Sequence, residues 1–298
     1  MTELKISADN AGRRVDRVLR TLWPQVPLGA IMKAVRTGAV RLDGKRTKAD
    51  VRLEEGQTLY VPWEDMARAK SVPAVKHVKV PKLETLYRDE NIWIVNKPAG
   101  LLTQPDKSGG DSLITRALAE LKWQRVDYRP ATVQRLDRNT SGALIIALTG
   151  KAQRHLAELI RVHSIRKFYH AVVEGIADES GRIDLPLLKD KTTNTVRPDK
   201  NGQEALTLYK RLFVKGKRSV VEAELVTGRP HQVRVHLSAI GHPIVGDVKY
   251  GEGHGAKRPL LHARRILFPM DESLPETLRG ASITAPLPAD MKEYENIN

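Results

Sequence analysis

The segment Arg135-Leu136-Asp137-Arg138-Asn139-Thr140-Ser141-Gly142 sets one carboxylate between two arginines. Nearby positive charge favours the ionised form of a carboxyl group. An ionised, poorly hydrated carboxylate can attack an electrophilic carbon or take up a proton. A plain ion pair beside a turn has the same composition, so the segment alone leaves both readings open. Other patterns that could do chemistry are weaker. His231 and His236 stand five apart, not at the i, i+4 spacing of a helical zinc pair, and the chain has no cysteine to complete a site. The glycines between Gly251 and Lys257 lack both the spacing of a phosphate loop and a preceding strand, and read as a flexible loop. Thr140-Ser141-Gly142 lacks the earlier glycine of a nucleophile elbow.

The elements that must position Asp137 follow from the apolar pattern. Residues 143–148 form a short branched run that reads as a buried strand, so the carboxylate lies in a loop leading into a rigid element. Strands are expected at 91–96, 168–174 and 219–225, and helices at 112–122 and 151–162. This alternation makes residues 83–298 an α/β (α+β) domain. Upstream, Val15, Val18 and Leu19 fall at helical spacing, and 28–35 can form a second helix. Strand-like runs at 39–42 and 58–61 follow, with the tight-turn pair Asp43-Gly44 between them. Residues 1–62 therefore read as a small separate unit. Residues 63–82 read as a basic linker, in which Pro73 and Pro81 discourage regular structure.

Composition narrows the partners. The 298 residues carry 50 Lys and Arg against 35 Asp and Glu, a net charge of +15. Such an excess predicts attraction to a polyanion, with nucleic acid the leading candidate through counterion release. The absence of cysteine suits a reducing compartment, the N-terminus has no apolar core of a signal peptide, and no run approaches a membrane span. A cytoplasmic monomer is expected.

Six segments, in order, resemble the RluA-type RNA pseudouridine synthases. Arg135-Leu136-Asp137 with Thr140-Ser141-Gly142 is similar to the family's active-site signature. The others are Asn96-Lys97-Pro98-Ala99-Gly100-Leu101, Arg166-Lys167-Phe168-Tyr169, Gly228-Arg229-Pro230-His231-Gln232-Val233-Arg234-Val235-His236, Gly241 through Asp247, and Leu261-His262-Ala263. Gln134 and Asn139 depart from the commonest pattern, where His and Asp are usual. The resemblance implies a long mixed, mainly antiparallel sheet with a central cleft. Residues 1–62 resemble an S4 RNA-binding domain, with Arg13, Arg14, Arg17, Lys33, Arg36, Arg41 and Arg46 on its RNA face.

The implied reaction breaks the N1–C1′ bond of uridine, turns the uracil and rejoins it through C5. Nothing is lost, so no cofactor or metal is expected. The resemblance implies Asp137 as nucleophile, at ribose C1′ or uracil C6, with proton abstraction at C2′ left open. It implies Arg135 as the wedge that replaces a flipped base, and Tyr169 as stacking surface or C5 base. Arg234 is the expected partner of Asp137, and Leu261 a wall of the uracil pocket. The segment 184–189 with Thr195-Val196-Arg197 looks most like the branch acting on large-subunit ribosomal RNA. Transfer RNA is the alternative substrate, and a non-catalytic RNA-binding or ribosome-assembly protein is the rival class.

Overall fold

The computed structural model describes residues 1–64, 81–106, 109–125, 127–190 and 192–294. Residues 65–80, most of the expected linker, lie outside them. The N-terminal unit contains β1 (Thr2–Lys5), α1 (Val15–Leu22), α2 (Leu28–Thr37), β2 (Arg41–Leu42), β3 (Lys45–Arg46) and β4 (Thr58–Val61). The larger body begins with β5 (Glu84–Arg88), β6 (Ile92–Lys97), α3 (Leu113–Glu120), β7 (Ala131–Thr132), β8 (Ser141–Ala147), α4 (Gly150–Arg161) and β9 (Arg166–Glu174). It continues with β10 (Ser180–Asp184), β11 (Leu187–Lys189), β12 (Val196–Pro198), β13 (Leu206–Lys215), β14 (Arg218–Leu225), α5 (Gln232–Ala239), β15 (Leu261–Leu267) and β16 (Ser282–Thr284).

One sheet dominates the body, with strand order β10-β13-β14-β9-β15-β8-β6-β5; β16 pairs with β15, and β7 with β8. Every pairing in it is antiparallel except β15 with β8, so the sheet is mixed and mainly antiparallel, as expected. The unbroken apolar run of β8 is explained by burial on both faces. Leu144 and Ile146 join Trp93 and Val95 of β6 on one face, under Leu113 and Ala117 of α3. Ala143 and Ile145 join Ile92 and Ile94 on the other, under Leu156 and Leu159 of α4. Ser112 closes a capping box with Thr115 at the start of α3, and Thr149 caps α4.

The N-terminal unit has its own core, centred on Val15, Val18, Leu19, Trp23, Ile31 and Leu59. The two expected helices are present, but the hairpin differs from the expectation. Asp43 and Gly44, at φ 49° and 77°, close the short β2–β3 hairpin. The 58–61 run instead pairs with β2 and with β1, a strand that the sequence pattern did not mark. The unit rests against the body through Asp9, whose Oδ1 accepts the Gly150 N–H at 2.7 Å and whose carboxylate pairs with Arg125. Arg154 donates to the carbonyls of Ala8 and Asp9 at 2.7 and 3.2 Å. A β-carbon on Gly150 would lie 2.2 Å from the Asp9 carbonyl oxygen, so this approach needs glycine.

Gly142 is the tightest point beneath the Asp137 loop. It has φ 118°, and a β-carbon there would sit 2.2 Å from the Ala263 carbonyl oxygen of β15. Gly142→Ala is expected to destabilise the protein by about 3 kcal/mol or more, because backbone on both sides must move. Chemical denaturation measures this; a wild-type unfolding midpoint would contradict the close-approach account.

Candidate active site

The loop between β7 and β8 delivers Asp137 to the mouth of a cleft that Arg135, Tyr169, Leu261 and Arg234 also line. All five body residues singled out in the sequence therefore meet in one place. Tyr169 arrives from β9 and Leu261 from the start of β15, neighbouring strands in the middle of the sheet. Arg234 arrives from the first turn of α5. Arg135 is exposed at the rim, while Tyr169 and Leu261 are buried walls.

Arg234 makes the central contacts. Its Nε and Nη2 bind both carboxylate oxygens of Asp247, at 2.7 and 2.8 Å. Its Nη1 donates to Asp137 Oδ2 at 3.0 Å. Burial disfavours the guanidinium charge, but the two carboxylates outweigh it and push its pKa up. Asp247 is fully buried; burial would raise its pKa, yet Arg234 and the N–H groups of Lys249 and Tyr250 hold it below the usual carboxylate range. Burial and the Asp137 charge push the Tyr169 hydroxyl upward, so that phenol keeps its proton at physiological pH.

The Asp137 loop is anchored from several sides. Thr103 Oγ1 donates to the Leu136 carbonyl at 2.7 Å and accepts the Leu136 N–H at 3.2 Å. Arg258 donates to the carbonyls of Asn139 and Leu261, at 3.0 and 3.2 Å. Lys97 is fully buried, and its ammonium donates to the carbonyls of Pro98, Leu101 and Arg138, at 3.0, 2.7 and 3.1 Å. Burial lowers its pKa to about 7, with Asp137 acting in the opposite sense. The α5 side is fixed by Gln232, which accepts from Thr227 and the Arg229 N–H and donates to Leu206 and Thr207.

Sequence reading had not assigned roles to Asp247, Lys97, His231 or Tyr250. Asp247 and Lys97 stand in segments that the resemblance picked out, but no spacing rule marks a carboxylate 13 residues from Arg234 as its partner. The seven cations expected on an RNA face divide. Arg17, Lys33, Arg36, Arg41 and Arg46 are exposed. Arg14 is exposed but paired with Asp16. Arg13 departs from the expectation: it is half-buried and donates to Asn10, Thr21 and the Asp127 carbonyl, at the contact between unit and body.

Known proteins similar to this chain identify its family. Residues 91–239 match the family described as RNA pseudouridylate synthase. The chain is 34% identical to the ribosomal large subunit pseudouridine synthase C of Vibrio cholerae, over 97% of this chain and 94% of that protein. It is 33% identical to the protein of the same name from Escherichia coli K12, over 92% and 94% of the two chains. The chain belongs to the RNA pseudouridine synthase family. It is an RNA isomerase with the mixed α/β fold of that family. Human RNA pseudouridylate synthase domain containing 1 superposes with a TM-score of 0.56 at 26% identity, covering 69% of this chain and 83% of that one.

Lys97 gives this synthase site a direct structural test. Lys97→Met removes the buried donor shared by three carbonyls that join the 97–101 and 135–141 loops. The expected cost is about 3–5 kcal/mol, read from urea unfolding. An unchanged midpoint would mean that the carbonyls are satisfied without it.

Proposed function

We propose that this synthase isomerises uridine in large-subunit ribosomal RNA, with Asp137 as the acting carboxylate. The observation that carries the reading is the Asp137–Arg234 contact at the mouth of a cleft walled by Tyr169 and Leu261. A carboxylate held by one oxygen beside a slot walled by Tyr169 and Leu261 suits a sugar whose base has been turned into the slot. The Tyr169 ring offers the base a stacking face, and its protonated hydroxyl can donate to a uracil carbonyl. Arg135 fills the gap left by the flipped base and meets the backbone phosphates; its exposure at the rim supports this role.

The atoms balance without a co-reactant. The N1–C1′ bond breaks, C5 joins C1′, and the C5 proton is released as N1 gains one. The ribosomal substrate is supported by relatives that match almost end to end and are named for the large subunit. Residues 1–62 act as an S4-like RNA-binding domain, and 83–298 as the catalytic domain. The exposed cations Arg17, Lys33, Arg36, Arg41 and Arg46, with the net charge of +15, favour phosphate contact by the first of these. One chain supplies every group of the cleft, which suits a monomer, and a cysteine-free chain suits the cytoplasm.

Asp137→Asn should abolish isomerisation, by about a thousandfold or more, while RNA affinity stays nearly unchanged. Tritium release from large-subunit RNA containing 5-tritiated uridine measures the first, and a gel shift the second. Substantial turnover by the variant would remove Asp137 from the chemistry. Release from transfer RNA alone would displace the ribosomal reading.

A further inference from the structure

His231 stands at the N-cap of α5 with φ 53°, a left-handed conformation that a β-carbon disfavours. Such strain in a cleft-lining residue points to a side chain held for its direction. Nε2 of His231 lies 3.9 Å from Asp137 Oδ1, the oxygen that Arg234 does not take. On the far side of the ring, Nδ1 lies 2.6 Å from the Tyr250 hydroxyl. That hydroxyl accepts the Val196 N–H at 3.0 Å and so has its own proton to give. Giving it to Nδ1 leaves the imidazole proton on Nε2, facing the carboxylate. Tyr250 is itself fixed, with the Arg234 guanidinium over its ring at 5.0 Å and the His231 ring edge-on at 5.6 Å. Burial lowers the His231 pKa against the pull of Asp137, and burial raises that of Tyr250, so both keep these neutral roles near pH 7.

We propose that His231 is a positioning residue for the Asp137 carboxylate, its Nε2–H directed at Oδ1 by the Tyr250 hydroxyl. The proposal rests on Asp137 being the acting carboxylate. Arg234 holds one oxygen and leaves the carboxylate plane able to rotate about its terminal bond. A second donor from the opposite side fixes that plane. The 3.9 Å separation is longer than a hydrogen bond and closes when substrate expels water from the cleft.

The test uses the full-length chain carrying His231→Asn, His231→Gln or Tyr250→Phe, with single-turnover rates and affinity measured on the ribosomal RNA substrate. Asn tolerates the left-handed backbone but ends short of Asp137, whereas Gln places an amide N–H where Nε2 stands. His231→Asn should slow the chemical step at least about tenfold, and His231→Gln should recover to within about threefold of wild type. Tyr250→Phe should slow it about three- to tenfold, and RNA affinity should stay within about twofold in all three. A wild-type rate in His231→Asn overturns the proposal, as does equal slowing by Asn and Gln. If His231→Asn melts well below wild type, Tyr250→Phe decides, and a wild-type rate there overturns the directed orientation. Turnover by an Asp137→Asn control would overturn the role of Asp137 itself, a different failure from wild-type turnover in the His231 variants.

Discussion

The site depends on one guanidinium shared by two carboxylates. Asp247 is fully buried and takes two of the Arg234 donors, so it fixes the plane of the guanidinium. The remaining Nη1 is then aimed at Asp137 Oδ2. A buried ion pair is weak evidence for stability, because desolvation opposes the Coulomb gain. Here it gives direction: a planar fork locked by one acid presents its last donor to the other at a set angle. Lysine would provide charge without that angle.

The fold brings the two partners together from distant parts of the chain. Asp137 comes from the entry to β8 and Arg234 from the first turn of α5, and Tyr169 is carried on β9, which β15 separates from β8 in the sheet. Each loop is then tied down by a buried polar side chain. Lys97 joins the Asp137 loop to the 97–101 turn through three carbonyls. Gln232 satisfies the polar groups of the turn before α5. Arg135 and the exposed N-terminal cations Arg17, Lys33, Arg36, Arg41 and Arg46 remain outside this frame.

Much of this was legible in the sequence, for reasons that differ by element. β6, β8, α3 and α4 announce themselves through apolar runs and caps, which are local signals. Asp137 is marked by its arginine neighbours, but Tyr169, Arg234 and Leu261 are marked only through resemblance to a family, since a lone Tyr, Arg or Leu carries no chemical pattern. The Asp247 clamp and the His231–Tyr250 pair were not legible, because they arise from a helix and a loop folding back on each other. β1 escaped notice because only Leu4 of its four residues is buried. Arg13 looked like a surface cation because charge says nothing about which face a second domain will cover.

The most direct test of the central claim is the single-turnover rate of Arg234→Lys, measured beside its RNA affinity. Lysine keeps the positive charge but cannot bind Asp247 through two nitrogens and still direct a third at Asp137. The predicted result is a rate at least about a hundredfold below wild type with affinity within about threefold. A near-wild-type rate would contradict the account, because charge alone would then suffice to hold Asp137.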